Sequence, residues 1–273
     1  MSTSRLLWSV TTGTSPILAT AIHHGHHVRD EVSVALAVDA ATRLREEDPY
    51  TGELTTISDN RLVVHRSRFE MDLNRNRTHA VYLNPEDAWG IKVWHQPFNP
   101  AMIRRSLVQY DAFYRALDEL LTAMRRRHDK VVVLDFHSYN HHRQGPTKPF
   151  DSPAANPEIE IGTNTMDRAY WCNLVDGLIT DLQQYRFGGR RLDVRENAKF
   201  GQGWMCQWIN ERYPMSVCAI SIELKKTFMD EWTGRLNGPV LSAYRKAFLS
   251  VLPGLCDRLA DWKESRARRV KDD

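Results

Sequence analysis

The 273-residue chain lacks most features that announce a specialised protein class. Its four cysteines, Cys172, Cys206, Cys218 and Cys256, lie far apart and form no Cys-x-x-Cys pair. They fit neither a disulfide scaffold nor a thiolate zinc site, which leaves reduced core thiols. No run approaches the roughly 18 to 20 consecutive apolar residues that a membrane span needs. The stretch Met1 to Val10 is too poor in apolar residues for a secretory leader. The expected location is cytoplasmic and reducing, with no membrane partner. Charge of one sign is also missing: 37 basic against 34 acidic residues leave a net charge of only +3. That gives no electrostatic case for a nucleic-acid partner. Two short basic runs, Arg125-Arg126-Arg127 and the last dozen residues, read as a helix end and a solvated tail. P-loop, G-x-G-x-x-G and G-x-S-x-G patterns are absent, so nucleotide chemistry and a serine-hydrolase elbow have no support. Without repeats, low-complexity blocks or a Pro/Gly/Ser linker, residues 1–273 read as a single α/β domain.

What is present is a set of short apolar runs that end in polar clusters. Ile17–Ile22, Arg61–Phe69, Val131–Phe136 and Val217–Leu224 read as buried strands, rich in β-branched residues. Ile103, Leu107, Tyr110, Tyr114, Leu117, Leu121 and Met124 recur at spacings of four and three, which predicts a long amphipathic helix. A weaker helix is expected over Met166–Tyr185. A third, over Leu241–Leu259, should be bent or interrupted at Pro253. Glu47–Asn60 and the proline-rich 142–164 stretch read as loops, the second long enough to serve as a lid or substrate wall.

Chemistry concentrates where the strands end, which is where ligand sites lie in open α/β sheets. After Ile22 come His23, His24, His26 and His27, four of the chain's 11 histidines. Neutral imidazole is the commonest transition-metal ligand, and Gly25 permits a tight turn among them. His137 ends its strand two residues after Asp135, an acceptor that would orient the imidazole. A catalytic zinc takes three protein ligands, so the cluster supplies one or two and His137 another. The acidic run Glu46-Glu47-Asp48 offers candidates for a remaining place. Glu223 interrupts a buried strand, either as an ion-pair partner of Lys225, Lys226 or an arginine, or as a general base for hydrolysis. Arg66 and Arg68 share one face of a strand, either paired with Glu70 and Asp72 or facing an anionic substrate.

Five stretches in order, spanning about residues 15 to 235, resemble the N-formylglutamate amidohydrolase family, relatives of zinc carboxypeptidases and aspartoacylases. They are Ala21-Ile22-His23-His24-Gly25-His26, Arg45-Glu46-Glu47-Asp48-Pro49-Tyr50-Thr51, Ser67-Arg68-Phe69-Glu70-Met71-Asp72-Leu73-Asn74-Arg75, Leu134-Asp135-Phe136-His137-Ser138-Tyr139-Asn140-His141, and Ser221-Ile222-Glu223-Leu224-Lys225-Lys226 with the Phe228–Gly234 segment. The resemblance implies a three-layer α/β fold of the zinc-carboxypeptidase-like (phosphorylase/hydrolase-like) kind, its central mixed, mostly parallel sheet flanked by helices. It implies one zinc ion held by His23, Asp48 and His137, with His26 the alternative to Asp48, and His24, His27 or Glu47 behind it. The histidine-x-x-glutamate pair of zinc carboxypeptidases is not there, since His26 stands three places after His23. Glu223 takes the place of the catalytic carboxylate. Asn74 and Arg75 resemble a substrate-holding Asn-Arg pair, with Arg75 also catalytic and Arg68 a further substrate contact. The implied activity is hydrolysis of a small anionic N-acyl, in particular N-formyl, amino acid such as N-formylglutamate, releasing formate. The alternatives are a zinc peptidase or amidohydrolase acting on a peptide or cell-wall fragment, and a non-catalytic metabolite-binding protein of the same fold.

Overall fold

The computed structural model describes residues 6–95 and 99–272, with side chains as far as residue 262. The basic tail lies outside the residues whose side chains are described. In chain order the elements are β1 (Trp8–Thr11), β2 (Ile17–Ala21), α1 (Asp30–Ala35), α2 (Ala40–Glu46), α3 (Thr51–Leu54), β3 (Asn60–Val64), α4 (Pro100–Arg125) and β4 (Val131–Tyr139). There follow β5 (Ile159–Gly162), α5 (Cys172–Gln184), the small hairpin β6 (Arg186–Phe187) and β7 (Arg190–Arg191), β8 (Val194–Glu196), α6 (Trp204–Arg212), β9 (Val217–Lys225) and α7 (Gly238–Asp272).

Seven strands form one sheet in the order β1-β3-β2-β4-β9-β5-β8. The pairs β3–β2, β2–β4, β4–β9 and β5–β8 are parallel, while β1–β3 and β5–β9 are antiparallel. The sheet is therefore mixed and mostly parallel. Alternation of side chains sorts its residues into two cores. Val132, Leu134 and Phe136 of β4 and Cys218, Ile220 and Ile222 of β9 pack with α5 and α7. Val131 and Val133, with Val217 and Ala219, pack on the other face against α4 and α6. Apolar residues on both faces are what a central parallel strand requires. The same parity puts Asp135, His137, Ser221 and Glu223 on the α4/α6 side, at the C-terminal ends of β4 and β9.

Several sequence expectations change here. Strand β3 ends at Val64, because the chain turns at Arg68–Glu70, so Arg66 and Arg68 do not share a strand face. The 142–164 stretch is not one loop: Pro153–Ala155 form a 3-10 turn and β5 joins the sheet. Glu47–Asn60 likewise contains α3 and a 3-10 turn at Thr55–Ile57. Helix α7 runs through Pro253 without interruption. Its buried Leu241, Tyr244, Phe248, Val251, Leu255 and Leu259 hold both halves on the sheet, which outweighs the hydrogen bond that proline removes. All four cysteines are free, with Cys206 and Cys218 buried and the other two only partly so. Among the described residues, no helix is long and apolar enough to cross a membrane.

Candidate metal centre

His23 follows the end of β2, and His137 lies in β4 beside it, their rings edge-on with centroids 4.8 Å apart. Asp48 arrives from the turn after α2, and its N–H donates to the carbonyl of His23 at 3.0 Å. All three residues are buried, and among the described residues they are the one group of three whose ligating atoms all lie within 4.8 Å of one another. Behind each imidazole stands a second carboxylate. His23 Nε2 is 2.7 Å from Asp72 Oδ1, and His137 Nε2 is 2.7 Å from Asp135 Oδ2. Asp135 is itself held by the Thr20 hydroxyl at 2.6 Å. Each Nε2 faces its own carboxylate, while both Nδ1 atoms turn inward to the shared Asp48, at 3.3 Å for His23 and 3.0 Å for His137.

That convergence calls for a cation. His23 Nδ1 is buried without a hydrogen-bond partner, a cost that a metal ion removes. Burial alone would lower the His137 imidazole's pKa, yet Asp135 and Asp48 hold it well above its usual range. Burial would raise the Asp48 carboxyl, but His137 and His23 hold it well below. Once a metal displaces their Nδ1 protons, the two imidazoles and one carboxylate, each ring backed by an acid, would form a donor set suited to zinc.

These residues line a cavity of about 370 Å³ together with Arg68, Asn74, Arg75 and Glu223. Glu223 keeps partial contact with solvent there, and burial pushes its pKa up to about 7, with Asp48 and Glu160 adding to the rise. Glu160, opposite Glu223 in the β5–β9 ladder, accepts the N–H groups of Lys199 (2.8 Å) and Phe200 (2.6 Å) and so carries the 199–203 loop to the cavity wall. Asn74 caps α6: its carbonyl accepts from Trp204 N and its Oδ1 from Met205 N, both at 3.2 Å. The Asn74 side-chain amide packs so close to Gly203 that a Cβ there would lie 2.0 Å from Asn74 Nδ2. Arg68 donates to Asp72 (2.8 Å) and to the Tyr82 hydroxyl (3.0 Å) and lies over the Trp89 ring. Arg75 is far less committed, its nearest carboxylate oxygen being Asp72 Oδ2 at 4.0 Å. Bulky Tyr50 and Trp89 adopt left-handed backbone, φ 68° and 55°, a strain of about 1–3 kcal/mol each that clusters at functional sites.

The remaining candidates sit elsewhere. His26 Nδ1 is 2.5 Å from Glu47 Oε2, and His24 Nδ1 accepts the Gly52 N–H at 3.3 Å. His24, His26 and His27 line a separate cavity of about 180 Å³ with His65. The sequence pattern missed Asp72 as the acid behind His23, and it missed Trp89 and Arg143, which line the metal cavity with Glu46 of the acidic run. A carboxylate 49 residues from its histidine leaves no local signal.

No curated protein sequence matches the chain. Among solved structures, N-formylglutamate amidohydrolase from Ralstonia eutropha JMP134 is similar with a TM-score of 0.68 and 18% identity, over 93% of this chain and 97% of that one. A gene product from Agrobacterium tumefaciens is similar with a TM-score of 0.62 and 16% identity, over 94% of this chain and 96% of that one. At such identities the likeness speaks for the fold. The family itself comes from the sequence: the N-formylglutamate amidohydrolase model matches residues 15–229, a range that contains His23, Asp48, His137 and Glu223, and the chain belongs to that family.

Proposed function

We propose that the chain is a zinc-dependent amidohydrolase that cleaves a small N-formyl amino acid such as N-formylglutamate into formate and the free amino acid. The reading rests chiefly on one observation, the buried Nδ1 of His23, which makes no hydrogen bond and faces Asp48 at 3.3 Å beside His137 in a carboxylate-backed site. His23, Asp48 and His137 would hold one ion. When bound there, zinc supplies a Lewis acid that polarises the amide carbonyl and brings the pKa of water to about 7. Asp72 and Asp135 fix the two imidazole tautomers. Glu223 accepts a proton from the attacking water and returns it to the amide nitrogen as the C–N bond breaks. Arg75 takes the substrate carboxylate or the developing oxyanion, and Arg68 holds Asp72 in place.

Formate release from N-formylglutamate, measured after chelation and after zinc is restored, tests the reading. Glu223→Gln should retain stoichiometric zinc and lose turnover by about 10²- to 10⁴-fold, the scale of general-base catalysis. Full turnover with zinc in place would sink the base assignment. A longer, peptide-like substrate is the second reading, favoured by a neighbouring cavity of about 870 Å³ that also touches Lys226. A panel of N-formyl amino acids against short peptides separates the two.

A further inference from the structure

Four cationic side chains line the metal cavity, and the protein satisfies them unequally. Arg68 is committed to Asp72 and Tyr82. Lys226 is buried, and its ammonium donates to the carbonyls of Arg45 (2.5 Å) and Glu47 (2.8 Å). Arg75 is the reverse case, with a side chain 45% exposed and no acid closer than 4.0 Å. Arg143 falls between these extremes. Its side chain is 43% exposed, yet its guanidinium grips Glu46 through Nη1 at 3.1 Å and Nη2 at 2.9 Å.

Glu46 decides what that grip means. The carboxylate is buried and has two further partners, Arg45 Nε at 3.3 Å and Asn140 Nδ2 at 3.1 Å. Stripping a buried carboxylate of every partner is costly, but Glu46 keeps two if Arg143 turns away. The guanidinium has five donors, so it can also meet a second carboxylate while still touching the first. The Trp89 ring, 5.8 Å from the guanidinium carbon, gives it a flat face to slide along. The backbone below is fixed, because Glu231 accepts the N–H groups of His141 (2.7 Å) and His142 (3.2 Å) at the root of the loop. Arg143 is thus a half-exposed cation on an anchored base, whereas Arg68 and Lys226 are built into the wall.

We propose that Arg143 is the specificity-determining residue of this cavity: it binds the side-chain carboxylate of a dicarboxylic N-formyl amino acid, loosening its hold on Glu46, while Arg75 takes the α-carboxylate. This rests on the N-formyl amino acid reading and narrows it to derivatives of the acidic amino acids. Two arginines on separate loops match two carboxylates, and Glu46 keeps Arg143 neutralised until the second one arrives.

The test compares N-formylglutamate with N-formylmethionine on the zinc-loaded wild type and on Arg143→Met, Arg143→Lys and Glu46→Gln. Arg143→Met should lower kcat/KM for N-formylglutamate roughly 10- to 100-fold, mainly through KM, the scale of a lost hydrogen bond to a charged group. For N-formylmethionine the change should stay under about threefold, since no charged pair is lost. Arg143→Lys should recover part of the loss, because an ammonium keeps the charge but not the fork. Glu46→Gln should lower KM for N-formylglutamate by removing the competing carboxylate. An equal fall on both substrates, or an unchanged preference in Arg143→Met, overturns the proposal. If the wild type hydrolyses neither compound, the hydrolytic reading fails by itself, and calorimetric binding of the two compounds then decides the role of Arg143. A preference for N-formylglutamate that disappears in Arg143→Met supports it; equal or absent binding in the wild type overturns it.

Discussion

His23 and His24 are neighbours in sequence, yet they belong to two groups of histidines in different surroundings. His23 and His137 are buried, each backed by a carboxylate and both facing Asp48. His24 and His26 stand around a shallow cavity with His65. The inner field is negative, so the His137 pKa is held up despite burial. The outer one is set by burial and neighbouring imidazoles: His24 is lowered to about 4 by burial first, then by His26 and His65. Histidine density is therefore a poor guide to a metal site. An acid behind each ring and a shared acid in front are the better one.

Five substitutions, in three steps of falling effect, would break or sharpen that contrast. The largest effect belongs to the inner group: His137→Ala should abolish stoichiometric metal retention and formate release. His26→Ala should leave both within about twofold, as surface changes remote from the chemistry do. Elemental analysis and a formate assay decide the matter, and loss of metal from both variants alike would erase the distinction. Next in size, Asp72→Asn should weaken metal affinity by about 10- to 100-fold, measured by chelator competition. Glu47→Gln, which alters the acid beside His26, should not. The smallest effect is on stability. Burial holds the His65 imidazole below its ordinary 6.5, so as pH falls the unfolded chain takes up that proton first. The stability present above that value is then lost on the acid side. His65→Gln should flatten the decline in Tm between about pH 7.5 and 5.5; an unchanged decline would show that His65 does not contribute.

The same contrast explains what the sequence made legible. His23, His137, Asp135 and Glu223 stand at or just beyond the ends of strands whose apolar runs are long enough to read, so position alone marked them. Asp48 needed the family pattern, because an acidic run at a helix end has an ordinary explanation. Asp72 was read as the partner of an arginine, and it is one, but it also serves His23. Strands β5 and β8 escaped notice because they are short and carry Glu160, Arg195 and Glu196 amid few apolar residues. Their state is set by pairing across the sheet, which no local window contains. Arg143 was hidden for a similar reason, since Glu46, the residue that gives its position meaning, lies 97 places earlier.

One backbone contact bears on how the ligand positions are held. The N–H of Asp48 is already joined to the carbonyl of His23, closing the segment between them within the protein fold itself. Main-chain atoms alone thus tie the two ligand positions together, so exchanging the side chain of His23 or Asp48 leaves that tie in place.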